Sequence, residues 1–218
     1  MASKWWDING VSKFLHLMNP IRTKYIIDTC QGIFKKKILD VGCGAGILSE
    51  SLYYAGGIVT GLDISSNMIY EAKMHAKIKN INIKYINEDI LQHCIKNSEY
   101  YDIVVCMEVL EHIERPIEIV NLCSKLIKPG GNLFFSTINR TLKSFFTVIF
   151  LAEYLLRCIP IKTHNFSQLI TPSELLSWID CTSLNIKNII GIKYNPFIKK
   201  FYLSSDISTN YIVHACLS

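Results

Sequence analysis

Long apolar runs, paired cysteines and blocks of one charge are all missing from this 218-residue sequence, and each absence closes off a class of protein. The longest charge-free stretch of the most apolar region, Ser144 to Ala152, is nine residues. A membrane-spanning helix takes roughly 20, so this segment can lie on a bilayer but not cross it. The eight cysteines form no C-x-x-C pair and no regular metal spacing, which argues against a zinc module or a disulfide framework. The amino terminus lacks the charged, apolar, small-residue order of an export signal, so a cytoplasmic, reducing setting is expected. Cys43, Cys106 and Cys123 sit in apolar runs and read as small core residues. Basic runs are short, at Lys35-Lys36-Lys37 and Lys199-Lys200, and the net charge is only +5, which disfavours nucleic acid as a partner. A basic rim is still compatible with an anionic membrane surface.

What remains is a globular composition, 50% hydrophobic and 19% charged, at a length that suits one domain. Along the chain, apolar strand-like runs at Lys37 to Val41, Gly57 to Leu62, Ile81 to Ile86, Asp102 to Met107 and Asn132 to Ser136 alternate with helical patterns. Those patterns begin near Ile47 and cover Ser66 to Lys79 and Pro116 to Ile127. Pro129-Gly130-Gly131 reads as a turn, and Thr171-Pro172-Ser173-Glu174 as a capped helix start. Lys187 to Tyr194 and Asn210 to Cys216 supply the last strands. Alternating strands and helices predict an α/β, Rossmann-like fold with a mostly parallel, doubly wound sheet and helices on both faces.

The chemistry starts at Gly42-Cys43-Gly44-Ala45-Gly46, between the first strand and its helix. A helix amino terminus behind glycines offers free N–H groups to a carboxylate or phosphate. A dinucleotide turn would need a third glycine at position 47, where Ile47 stands, so Gly42, Gly44 and Gly46 favour S-adenosylmethionine over a nicotinamide dinucleotide. A plain tight turn is the alternative. Asp40 can meet the donor's ammonium or hold the loop. Asp63, at the end of the second strand, can accept from both ribose hydroxyls or cap the next helix. Glu88 and Asp89 can address the adenine or simply make a turn. Met107 can pack on the adenine or the sulfonium region, or be core.

Glu108, Glu111 and His112 follow the fourth strand at i, i+3 and i+4, and a helix there would put all three on one face. Two carboxylates and an imidazole can hold a divalent cation, or one of them can act as general base. The alternative is acids that merely favour a first helical turn, with His112 paired to one of them.

The segments "SKWWDINGVSKFLHLMNPIRTKYI", "ILDVGCGAGILSE", "GLD", "CMEVLEH", "KPGGNLFFSTINRTLKS" and "TPSEL" resemble, in order and spacing, the ubiquinone-biosynthesis O-methyltransferases. The resemblance runs almost end to end, and the Trp5-Trp6-Asp7 opening and the Ser136 to Arg140 run are its most specific parts. It implies a class I methyltransferase acting on polyprenylated phenols and quinols, at two steps of ubiquinone synthesis. It implies donor contacts at Arg22, Gly42, Asp63 and Met107, with Arg22 delivered by an amino-terminal lid, and magnesium at Glu108, Glu111 and His112. On this reading residues 1–36 form a lid and substrate region, 37–142 the donor core, 143–170 an apolar insertion, and 171–218 the closing helix and strands. Peripheral contact with the inner face of the cytoplasmic membrane through Phe145 to Ile161, a substrate-loop role for His164, and other enzymes of the same biosynthesis as partners complete the expectations.

Overall fold

A computed structural model describes residues 5–144 and 166–218. The expected roles of Phe145 to Ile161 and His164 lie outside those residues.

The chain alternates as the sequence predicts. Helix α1 (Lys13–Thr29) precedes β1 (Lys37–Val41), α2 (Ile47–Tyr54), β2 (Ile58–Asp63), α3 (Ser66–Lys79), β3 (Lys84–Asn87), α4 (Ile90–Lys96) and β4 (Tyr101–Met107). Then come α5 (Pro116–Leu126), β5 (Ile127–Ile138), the helical turn α6 (Leu142–Ser144), α7 (Pro172–Asp180), β6 (Leu184–Asn195), β7 (Lys200–Ser204) and β8 (Asn210–Leu217). Among the described residues the strands form one sheet in the order β3-β2-β1-β4-β5-β8-β6-β7. The first five run parallel, and β8 pairs antiparallel with both β5 and β6.

Strand alternation sorts the two faces. Ile38, Val105 and Phe134 join the core under α1, α2 and α3, while their sequence neighbours Leu39, Val104 and Phe135 join the core under α4, α5 and α7. Both faces of the central strands are therefore buried, which is why these strands read as continuous apolar runs. The order of winding reverses between β1 and β4, and a crevice opens there at the carboxyl ends of the strands.

Local signals were reliable where the contact was local. Thr171 caps α7, Glu174 closes the reciprocal bond to the Thr171 N–H at 2.8 Å, and Pro172 takes the first position. Pro129-Gly130-Gly131 corrects the expectation of a turn. These residues lie inside β5, where Ile127 already pairs with Tyr101 and the register shifts before Ile103, with Gly130 at φ +76°. The turn residues make a bulge in a longer strand.

Gly46 shows how tightly the crevice is built. It stands at φ +92°, and a Cβ there would meet the Tyr85 hydroxyl at 2.2 Å. Gly46→Ala is expected to cost about 1–3 kcal/mol in chemical denaturation, from overpacking and left-handed strain together. Gly46→Ala with Tyr85→Phe should recover part of that loss, because the closest atom is removed.

Candidate functional site

The glycine loop is held from below and from the side. Gly42 and Cys43 donate their N–H groups to the Leu62 carbonyl at 2.8 and 3.0 Å, and Gly44 donates to the Asp63 carboxylate at 2.8 Å. The second Asp63 oxygen accepts from the Ser65 N–H at 2.8 Å. The cap of α3 is Ser65, which accepts from Met68, so Asp63 is not the helix cap. Its carboxylate clasps the loop, and each oxygen keeps a lone pair for a further donor. Gly46 carries no side chain to cap α2, which leaves that helix start without a side-chain acceptor.

The amino-terminal segment closes over this loop. The Trp6 indole N–H donates to the Ala45 carbonyl at 3.2 Å, and its ring stacks 3.5 Å from the His75 ring, which in turn bonds Glu50 at 2.7 Å. Trp5 covers Gly44, since a Cβ there would lie 3.6 Å from its indole. His16 Nε2 donates to the Trp5 carbonyl at 3.0 Å. Further along α1, Asn19 donates to the Ile47 carbonyl at 3.1 Å and to the Ser51 hydroxyl at 2.7 Å. That contact pins α1 against the start of α2 and turns Arg22 inward.

Arg22 is only 3% exposed, its Nε has no partner, and it lines the crevice. Burial pulls its pKa down while Glu108, Asp40 and Glu111 push it back up. Asp40, at the end of β1, accepts from the Ser49 hydroxyl at 2.6 Å, and burial raises its pKa to about 7. Buried cation and buried acids therefore face one another across a small volume.

Glu108, Glu111 and His112 do not share a helical face, which corrects the sequence expectation. Glu108 is left-handed, at φ +57°, and only Leu110–His112 form a short 3-10 turn. Glu108 accepts from the Ser136 hydroxyl at 2.6 Å and the Asn210 amide at 2.9 Å, while its N–H donates to the Ser136 carbonyl. Glu111 points into the protein, where Thr137 donates to one oxygen at 2.8 Å and the other has no partner. Burial, and then the neighbouring Glu108, push its pKa up to about 8. Glu108 and His112 line the crevice, and Glu111 stands behind it. Among the described residues no three His, Cys, Asp or Glu side chains gather as a metal-ligand set. As placed, these three residues do not fit a divalent cation.

The crevice has a volume of about 1430 Å³. Its polar end holds Arg22, Asp40, Gly42, Gly44, Asp63 and Asp89, with Met107 from the end of β4. Asp89 caps α4 by accepting from the Leu91 N–H at 2.7 Å, and Glu88 is held by His93 and Lys96. Both acids stand at the rim of the crevice, Asp89 as a helix cap and Glu88 in a side-chain pairing. The same cavity has an apolar arm, lined by Val11, Phe14 and Met18 of the amino-terminal region and by Ile192, Tyr194 and Phe201 of the β6–β7 hairpin. That arm could not be read from sequence, because α1 and the hairpin are far apart in the chain.

The raised acids give stability a pH dependence. Between pH 4.5 and about 8 the unfolded chain has released the Glu111 proton while the folded chain keeps it, so the unfolded state binds fewer protons. Asp40 acts in the same direction up to about pH 7. The contribution of these two acids to stability therefore declines as pH rises from 4.5 to 8. Urea unfolding of wild type and Glu111→Gln at both pH values should show the smaller decline in the variant.

A family described as "Methyltransferase domain" matches residues 39–135. A ubiquinone biosynthesis O-methyltransferase of Proteus mirabilis (strain HI4320) is 48% identical over 214 residues, 98% of this chain and 87% of that protein. One from Photorhabdus laumondii subsp. laumondii is 47% identical over 215 residues, 99% and 90% respectively. Among solved structures, magnesium protoporphyrin IX methyltransferase from Synechocystis PCC 6803 with bound SAH has a TM-score of 0.69 at 19% identity, covering 95% of this chain and 85% of that one.

Proposed function

The chain belongs to the ubiquinone biosynthesis O-methyltransferases, and from that premise we propose how its crevice methylates polyprenylated phenols and demethylated quinols at the two O-methylation steps. The observation that carries the proposal is Arg22, a buried cation with an unpartnered Nε, set in one cavity with the glycine loop, Asp63 and Met107. S-adenosylmethionine supplies an electrophilic methyl on a positively charged sulfur. Arg22 and the free start of α2 take its carboxylate, Asp40 its ammonium, and Asp63 its ribose hydroxyls. Asp89 stands where the adenine edge lies, and Met107 packs against the sulfonium region. Burial holds Asp40 and Glu111 partly protonated, and a donor whose net charge is positive would favour their ionised forms.

The apolar arm takes the prenylated ring and brings its hydroxyl to Glu108 and His112. His112 removes the hydroxyl proton. The phenolate oxygen then bonds to the methyl carbon as the carbon–sulfur bond breaks and its electron pair goes to sulfur, leaving S-adenosylhomocysteine. Glu108, fixed by Ser136 and Asn210, orients the hydroxyl, and no step runs through a metal. Much of the rate comes from positioning. The amino-terminal segment, with Trp5 and Trp6 over the loop, keeps water out.

The lipid tail of the acceptor calls for work at a membrane surface, and we place the enzyme in the cytoplasm, peripheral on the inner face of the membrane. No helix of the described residues is long and apolar enough to cross a membrane. Labelled-methyl transfer tests the reading. The label should appear on both the polyprenylated hydroxyphenol and the demethylated quinol. Transfer only to unprenylated or unrelated phenols would refute the acceptor assignment.

A further inference from the structure

We propose that the tip of the β6–β7 hairpin, Pro196 to Lys200, is an anchor for an anionic lipid surface and seats the apolar mouth of the crevice on the bilayer. The proposal rests on the lipid-tailed acceptor read above, and it concerns a segment separate from Phe145 to Ile161. Phe197 is 94% exposed and Ile198 61%, the two residues standing side by side at the end of the hairpin. No core packing accounts for a phenyl ring and a branched alkyl chain held out in water. Lys199 and Lys200 follow immediately and are also exposed. An apolar pair at the depth of the acyl chains with lysines at the depth of the phosphates is the arrangement an anionic interface rewards.

The surrounding charges point the same way. From Cys181 to the end of the chain, Lys187, Lys193, Lys199 and Lys200 stand against a single acid, Asp206. Asp206 is engaged by Lys193 and by Lys143 at 2.9 Å, and this pairing keeps its pKa well below the usual carboxylate range. The backbone is prepared for a drier setting as well. The Phe197 and Ile198 N–H groups both donate to the Asn195 side-chain carbonyl, at 2.9 and 3.4 Å, so inserting the turn strands neither donor.

The tip is continuous with the crevice. Pro196 and, at the base of the hairpin, Tyr194 and Phe201 line it. Phe14 of α1 packs edge-on against Tyr194 and Phe201, with ring centres 5.4 and 6.3 Å away, which fixes the hairpin to the helix that carries Arg22. A prenyl chain leaving the bilayer beside Phe197 would meet apolar and aromatic surface along the way to His112.

The test uses the full chain with Phe197→Trp and vesicles of phosphatidylglycerol and phosphatidylcholine carrying brominated acyl chains. The added indole should be quenched beyond the level set by Trp5, Trp6 and Trp178 in the wild type, and pure phosphatidylcholine vesicles should remove the extra quenching. Phe197→Ser with Ile198→Ser, and separately Lys199→Glu with Lys200→Glu, should each lower partitioning onto the anionic vesicles about tenfold. Methyl transfer to a short-tailed, water-soluble acceptor should stay at the wild-type rate in both variants. Absence of extra quenching, or unchanged partitioning, overturns the anchor. So does a dimer that forms through the tip in light scattering while vesicles are ignored, which would assign the patch to a second copy of the chain. If the wild type transfers no methyl to the short-tailed acceptor, the acceptor reading fails, and the quenching still decides the anchor.

Discussion

Replacing Arg22 with alanine should weaken S-adenosylmethionine binding about 100-fold or more in calorimetry, the scale set by truncating one partner of a desolvated charge pair. Two effects add. The donor's carboxylate loses its charge-assisted partner, and Asp40 and Glu111 lose the cation whose charge holds their pKa values down. The second effect should raise the pKa values of Asp40 and Glu111 further, so that Asp40 is less often ionised and less able to meet the donor's ammonium. The loss in affinity should therefore be larger at pH 6 than at pH 8.5. Arg22→Lys keeps the charge without the planar fork and should fall between wild type and alanine. Circular dichroism and urea unfolding of the same proteins separate this from loss of fold. Unchanged affinity in a folded Arg22→Ala protein would remove the residue from the donor site.

The second large effect is expected at His112. His112→Ala should lower kcat on the order of 10²–10⁴-fold, the usual contribution of a general base, with donor affinity changed by no more than about threefold. Glu108→Gln should cost less, about tenfold, because the amide still fits between Ser136 and Asn210 and only the charged character of the bonds is lost. The pH profile tells a base from a structural residue. The wild-type rate should fall on the acid side as one group protonates, and His112→Ala should lose that limb, whereas a merely structural change would lower the rate evenly. If Glu108→Gln proves the more damaging and removes the acid limb, the proton passes to Glu108 and the roles are exchanged.

How legible the site was depended on the range of the contacts that build it. The glycine loop and the cap of α7 could be read because the residues that make them are within a few positions of one another. Helix α1 was not read as a helix. Its buried side includes Asn19 and Arg22 beside Met18, Tyr25 and Ile26, and two polar residues on the inner face dilute the periodicity that marks a helix. Arg22 was reached only through resemblance for the same reason: what turns it inward is the bond from Asn19 to α2, which no spacing reveals.

Asp63 was placed correctly at the end of its strand, yet its clasp on Gly44 is 19 residues away in sequence and joins two loops. Glu108 defeated the helical reading because strand β5 and the distant Asn210 hold it in a left-handed conformation, so the helix begins two residues late and the i, i+3, i+4 rule has no helix to act on. Strand β7 depended on pairing with β6, and the apolar arm on packing between segments far apart in the chain.

The central claim is that Gly42 to Gly46, with Asp63 and Arg22, forms the methyl-donor site, and titration calorimetry of S-adenosylmethionine into wild type and Asp63→Ala tests it most directly. Saturable one-to-one binding by the wild type is expected, with affinity reduced at least tenfold in Asp63→Ala through loss of the ribose contact and of the clasp on Gly44. A folded wild type that takes up no donor, with Asp63→Ala indistinguishable from it, would contradict the account.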